Sequence, residues 1–358
     1  MKARPTVSII LPTLNRARLL ERAIRSVFVQ TCRDWELIVV DDGSSDDTQA
    51  VVEAAAARTD RPVRYFHQEN AGSSAARNRG IDAARGRFVA FLDSDDEYMP
   101  AKLQRQIDLF HLCPDLGLVY SDYAYVDTAG VRHDSVFRTM SRRALSVRRR
   151  SVAPGLYRCN ADFFDELLEE YLIATIAGMV RRDVLSGGVR FPEGISYAEE
   201  WYFFLQAAKR TRVGFVNEPL CLHHWTEGSL SRTSVQHNTA QRERLLQRVA
   251  REVGPLSRRQ RRMLRRHRAE SALQLGYESA RVGARLGAAA WFIRATARGA
   301  FRSGASALIS TLWSILRRPR GVRNGRGGRS WDRLAPAWRH GRSCSRLGPA
   351  FTRTLRAG

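Results

Sequence analysis

The chain has 358 residues, 44% hydrophobic and 27% charged, the proportions of a soluble globular protein with room for one large core and an appendage. Its formal charge of +23 is one-sided: residues 232–358 hold 29 arginines, no lysine and 5 acidic residues, while the first 231 carry 30 basic and 31 acidic residues. Five scattered cysteines without paired spacing exclude a zinc framework or a disulfide scaffold, and the longest uncharged stretch near the end, the 14 residues Ser303–Leu316, falls short of the roughly 20 that span a bilayer.

Met1-Lys2-Ala3-Arg4-Pro5 runs directly into a strand-like Thr6–Leu11 with no apolar leader, so no signal peptide is expected, and the scattered thiols fit a reducing cytoplasm. Pro12-Thr13-Leu14-Asn15 supplies a turn, and Leu20, Ile24, Val27 and Phe28 then fall at the spacing of an amphipathic helix. A second strand, Trp35–Asp41, leads to a helix over about 47–57, for which Ser44 or Ser45 is the expected cap. A third strand, Val63–His67, precedes an Ala-rich helix carrying Arg77. The fourth, Arg87–Leu92, ends in Asp93-Ser94-Asp95-Asp96, and Pro100 opens a helix with Leu103, Ile107 and Phe110 on one face. Strands alternating with helices at this rhythm predict βαβ units, a mostly parallel sheet and a nucleotide-binding half over the first 125 residues.

From about Arg138 to Asn160 the pattern dissolves into a basic stretch expected to be a mobile loop or insertion, with order returning at Tyr171–Val180. Ser196-Tyr197-Ala198-Glu199 has capping-box spacing ahead of Trp201, Phe204, Leu205 and Ala208, which would use Glu199 in the cap and leave Glu200 free at a helix start. Gln241–Arg268 reads as a basic helical pair broken near Gly254-Pro255, and Leu273–Arg318 as further helix with Trp291, Phe292, Phe301 and Trp313 among arginines. Beyond Pro319 the Gly- and Arg-rich sequence predicts disorder. The expected organisation is a catalytic domain at 1–232, a basic helical extension at 233–318 and a tail at 319–358.

Two acidic clusters carry the chemistry. Asp41-Asp42-Gly43 alone reads as a turn with an aspartate cap. The second cluster changes that, since open α/β sheets bind ligands at the carboxyl ends of their strands. Paired carboxylates spaced as Asp93 and Asp95 suit a hard divalent cation shared with a substrate diphosphate. His223 and His224, adjacent in a strand-like run, would point to opposite faces, so that at most one faces the site.

Five segments together resemble the inverting family 2 glycosyltransferases of the GT-A fold: Val7–Asn15, Val39–Thr48, Asn70-Ala71-Gly72 with Ala76–Gly80, Phe91–Asp96, and Glu199-Glu200-Trp201. The resemblance covers roughly residues 6–232 and implies an α/β GT-A domain, Rossmann-like with flanking helices, followed by the basic helical extension. It implies that Pro12, Leu14, Asp41, Arg77, Asp93 and Ser94 line the nucleotide, that Asp95 ligates Mn²⁺ or Mg²⁺, and that Glu200, beside Glu199, is the catalytic base, a position where the family more often has Asp. The family also tends to place a histidine before a Gly-Ser-x-Ser turn; here Thr226 stands before Gly228-Ser229-Leu230-Ser231, and His224 upstream is the candidate third metal contact. No Gln-x-x-Arg-Trp occurs, which disfavours the processive branch.

The function expected is metal-dependent, inverting, non-processive transfer of a sugar from a nucleotide-diphosphate donor to a glycan, lipid-linked glycan or cell-envelope polysaccharide. Alternatives are a nucleotidyltransferase, which would normally show a Gly-rich phosphate loop with lysine, and a catalytically silent nucleotide-sugar or nucleic-acid binding protein. Nucleic acid is disfavoured because aromatics in the arginine-rich third fall among Ala and Leu at helical spacing; an anionic membrane surface suits them better, with a solvated bundle as the plain alternative, and would place a cytoplasmic enzyme at the inner face of the cell membrane.

Overall fold

Every residue of β1 (Val7–Thr13) and β2 (Trp35–Asp41) is buried, as strands of a parallel sheet covered on both faces must be. The computed structural model describes residues 4–139, 141–225 and 234–316. Between the two strands α1 (Ala17–Phe28) buries Leu20, Ala23, Ile24 and Val27, the i, i+3, i+4, i+7 stripe, with Leu20, Ile24 and Val27 each contributing about 1.5–3 kcal/mol. After β2 come α2 (Thr48–Ala56), β3 (Val63–His67), α3 (Ser73–Ala83), β4 (Phe88–Phe91), the short β5 (Glu97–Tyr98) and α4 (Lys102–Leu112). The expected serine cap on α2 is not made. Ser44 and Ser45 bond Asn15 across the β1 and β2 loops, and Asp46 instead accepts from the Thr48 amide at 3.2 Å and its hydroxyl at 2.5 Å.

Strand β6 (Leu116–Val126) follows, then β7 (Arg132–His133), two short helices α5 (Val136–Thr139) and α6 (Arg142–Ser146), and a hairpin of β8 (Arg149–Ala153) and β9 (Leu156–Cys159). The stretch expected to be a mobile loop or insertion therefore carries, in its described residues, regular helices and a hairpin rather than a loop. Its arginines concealed an apolar pattern: Phe137 stacks on Phe215 at 5.5 Å, Leu156 and Cys159 are buried, and the Arg149 guanidinium lies 4.2 Å from the Phe215 ring centre. The unit closes with α7 (Phe163–Glu169), β10 (Gly178–Arg181), α8 (Arg182–Ser186), α9 (Glu199–Arg210) and β11 (Arg212–His224).

The strands form one sheet in the order β3-β2-β1-β4-β10-β6-β11-β9-β8. Pairings from β3 through β4 are parallel, β10 is antiparallel to both neighbours, β11 runs parallel to β6, and β9 is antiparallel to β11. From β1 the chain winds outward to β2 and β3, then returns to lay β4 on the other side of β1. That reversal opens a crevice at the carboxyl ends of β2, β1 and β4, where the acidic clusters emerge from β2 and β4.

By its contacts the chain divides into two compact units, residues 1–232 with Glu252–Gly254, and 233–251 with 255–358. In the second, α10 (Val235–Glu252) is broken from α11 (Arg258–Arg281) at Gly254, whose φ of +95° ends the helix, and Ser257 with Gln260 forms a reciprocal capping box on α11. Helices α12 (Arg285–Ala297) and α13 (Phe301–Leu316) complete it. Phe292, expected among the membrane-facing aromatics, is instead fully buried with Ala272, Leu273, Ala288, Ala295 and Ala307. The small residues around it let the helices approach closely enough to enclose a phenyl ring. The side chains of Phe301 and Trp313, and the tail after Leu316, lie outside the described residues. Among the described residues no helix is long and apolar enough to cross a membrane.

Candidate active site

Arg77 is the hub of the crevice. Helix α3 delivers it buried, its Nη2 bonds Asp93 Oδ1 at 2.7 Å, its Nη1 reaches Glu199 Oε1 at 3.3 Å, and its guanidinium lies 5.2 Å from the Phe191 ring centre. Burial alone would lower its pKa, but the charges of Asp93 and Glu199 reverse that and hold it firmly cationic. Ser73 at the start of α3 adds a 3.2 Å bond to the same Glu199 oxygen.

This settles the local use of Glu199, and it is not the expected one. The capping box at Ser196 does not form: α9 begins at Glu199 after Ala198, which takes a left-handed φ of 56°, with no side-chain cap. Glu199 is used as the counter-ion of Arg77, a partner 122 positions away that capping spacing could not anticipate. Glu200 stands clear of that pair. Its Oε1 accepts the Tyr171 hydroxyl at 2.6 Å, and burial of its carboxylate, reinforced by the charge of Glu199, pushes its pKa up to about 7 against the pull of Tyr171 and Arg77.

The first acidic cluster does two jobs. Asp41 is buried, accepting the Ser44 amide at 2.8 Å and the Tyr65 hydroxyl at 2.6 Å. Asp42 organises the Asn70-Ala71-Gly72 loop ahead of α3, accepting the Ala71 and Gly72 amides at 2.9 and 2.8 Å and the Gln68 side chain at 2.7 Å. Pro12 is buried at the end of β1, and Leu14 is half-buried in the turn after it.

In the second cluster Ser94 is buried, and Asp95 is ion-paired with Arg16 while its carbonyl accepts from Arg22 at 2.6 Å. Asp96 is fully buried against His223, whose Nδ1 lies 3.0 Å from both carboxylate oxygens. Burial would depress His223, yet Asp96, with Asp95 and Asp93 behind it, raises it to about 9. His224 has its Nε2 2.8 Å from Glu97 Oε1, so the two adjacent histidines meet consecutive carboxylates, Asp96 and Glu97. Among the described residues no three His, Cys, Asp or Glu side chains gather as a metal-holding group. Thr226 and the Gly-Ser-Leu-Ser turn lie outside the described residues.

Sequence reasoning missed Tyr171, Arg16, Ser73 and Tyr65. Arg16 and Ser73 stood next to quoted motifs, but nothing in the spacing joins Tyr171 to a glutamate 29 residues later.

Strand order and flanking helices define a GT-A fold. Residues 1–349 of TarS from S. aureus, solved with UDP-GlcNAc, superpose with a TM-score of 0.60 at 17% identity, covering 87% of this chain and 90% of that one. A mannosyltransferase from Pyrobaculum calidifontis, solved with GDP-Man and Mn²⁺, gives 0.52 at 20% identity over 88% of this chain and 82% of that one. Residues 8–172 match the sequence model of the family described as glycosyl transferase family 2. A protein of Rickettsia conorii named an uncharacterized glycosyltransferase is 29% identical over 60% of this chain and 32% of its own length. The GalNAc(5)-diNAcBac-PP-undecaprenol beta-1,3-glucosyltransferase of Campylobacter jejuni is 46% identical over 28% of this chain and 32% of its own length. The chain thus spans about a third of these curated relatives.

Proposed function

We propose that the chain transfers a sugar from a nucleoside-diphosphate sugar to a hydroxyl acceptor with inversion at the anomeric carbon, non-processively and with a divalent cation. The observation that carries this reading is Glu200, a carboxylate tuned to about 7, held by Tyr171 and set beside the Arg77–Asp93–Glu199 network at the strand ends of a GT-A sheet.

Inverting transfer is a single displacement. Glu200 takes the proton from the acceptor hydroxyl as its oxygen attacks the anomeric carbon opposite the departing nucleoside diphosphate, a role worth about 10²- to 10⁴-fold. A base poised near neutrality is ionised at working pH and still strong enough to accept that proton. Arg77 brings a permanent positive charge to the pyrophosphate side, while Asp41 and the turn at Pro12 and Leu14 line the nucleoside. Asp93 and Asp95, paired here with Arg77 and Arg16, are hard oxygen donors of the type Mg²⁺ or Mn²⁺ takes, and with the donor diphosphate they would hold it. When bound, the cation would offset charge growing on the leaving diphosphate.

The solved neighbours bind UDP-GlcNAc and GDP-Man, which makes a uridine or guanosine diphosphate sugar the first donor class to test. Relatives named for an undecaprenol-diphosphate glycan and for teichuronic acid support a lipid-linked or cell-envelope acceptor. The arginine-rich extension, net +24 over residues 232–358, supports work at the anionic inner face of the membrane where such acceptors lie. Release of nucleoside diphosphate from a panel of such donors, with and without chelator, tests the assignment. Sugar-nucleotide binding without turnover under every condition would leave only a silent binder.

A further inference from the structure

Helix α12 is apolar almost all the way round. One side supplies Ala288, Ala289, Phe292 and Ala295 to the core of the helical unit. The other presents Leu286, Ala290, Ile293 and Ala297 to solvent, spaced four, three and four residues apart and so aligned as one stripe. Leu286 is 78% exposed and Ile293 54%, and Val282 just before the helix and Ile309 on α13 are as open, at 62% and 63%. Among the described residues these, with Leu312 on α13 at 44%, are the exposed large apolar side chains of that unit, and all but Val282 lie on two consecutive helices. A helix hydrophobic on both sides wants cover on both sides.

Charge identifies the cover. From Ser279 to Trp331 the sequence has 11 arginines and no acidic residue. Arg294 sits at the margin of the stripe, with its guanidinium 4.7 Å from the Trp291 ring centre, the posture of a side chain that reaches from an apolar face toward an anionic layer. A second copy of the same surface would bring arginine against arginine with no carboxylate to receive it. The helix, 13 residues and about 20 Å long, is too short to span the roughly 30 Å of bilayer hydrocarbon.

We infer that the exposed stripe of α12, with Val282 and Ile309 beside it, is a docking surface for anionic phospholipid: α12 lies in the interface plane, Leu286 and Ile293 enter the acyl boundary, and the flanking arginines meet the headgroups. This deepens the proposed membrane location, which charge alone motivated, by assigning it an apolar anchor independent of the tail.

The test uses the full chain, co-sedimented with phosphatidylcholine vesicles with or without phosphatidylglycerol, at low and high salt. Wild type is expected to partition to the anionic vesicles, and the double variant L286D/I293D to bind about tenfold or more weakly, with the residual binding abolished by salt. Both positions are solvent-exposed, so an unchanged circular dichroism melt separates lost anchoring from misfolding; L286S/I293S serves if the acidic pair perturbs it. Equal binding of variant and wild type at both salts would overturn the anchor while leaving an electrostatic membrane location standing. Failure of wild type to bind would overturn both, and a wild-type dimer that the double variant dissolves would assign the stripe to a second copy instead. Donor hydrolysis, measured on the same samples, does not depend on these residues, so loss of the catalytic reading would be seen separately.

Discussion

Two adjacent glutamates of one helical turn have divergent fates because each meets a different partner. Glu199 is neutralised by Arg77, whereas Glu200 accepts the Tyr171 hydroxyl, and its burial and the neighbouring charge of Glu199 outweigh the pull of Tyr171 and Arg77. Glu200→Gln is expected to lower transfer about 10²-fold or more while leaving donor affinity intact, measured as kcat and by calorimetry. Glu199→Gln instead should weaken donor binding through Arg77; the reverse pattern would move the base by one residue. Because Glu200 is raised to about 7, kcat/KM should fall as pH drops through that value. Tyr171→Phe removes a hydrogen bond to the ionised form and should shift the acid limb to higher pH, a change that simple misfolding would not produce. The same shift makes Glu200 a source of stability at pH below its ordinary value, fading as pH climbs through about 7. Asp95→Ala should abolish the Mn²⁺-dependent part of nucleotide affinity, and unchanged metal-dependent binding would free Asp95 from the role of ligand.

At the scale of elements, the site depends on how closely strands and helices approach one another. A Cβ on Gly86, ahead of β4, would stand 2.5 Å from the Ser8 amide nitrogen and 2.8 Å from the Val7 carbonyl carbon, backbone atoms that cannot turn aside. Gly86→Ala should therefore destabilise the domain by about 1–3 kcal/mol in urea denaturation, by forcing β4 and its acidic loop away from β1. Wild-type stability in that variant would mean the strands have more freedom than their register implies. The Asp42-bound loop and the Ser73–Glu199 bond similarly make α3 and α9 a clamp around Arg77.

At the scale of the whole molecule, the described residues include one hydrophobic cluster against the sheet and a separate one around Phe292. Ligand binding stabilises what it binds, by about 2.7 kcal/mol at a hundredfold excess over Kd. Nucleoside diphosphate with Mn²⁺ should accordingly raise the melting transition of the sheet unit and leave that of the helical unit in place, as followed by circular dichroism. A single transition moving as one would show that the two units melt together.

Much of the first unit was legible because its signals are local. Buried parallel strands such as Val7–Thr13 and Trp35–Asp41 announce themselves as unbroken apolar runs, and the acidic clusters at their ends follow from topology. What failed were inferences whose answer lay far along the chain. Arginines in 138–160 looked like solvated loop until Phe215 was beside them, Glu199 looked like a cap until Arg77 was, and Phe292 looked like an anchor until α11 and α13 enclosed it. Sequence alone determined the α/β alternation, the charge division and which carboxylates stand at strand ends. Only the tertiary structure decided that, at the start of α9, Glu199 is compensated by Arg77 while burial raises Glu200, because a pKa is set by burial and by charges brought together from distant positions.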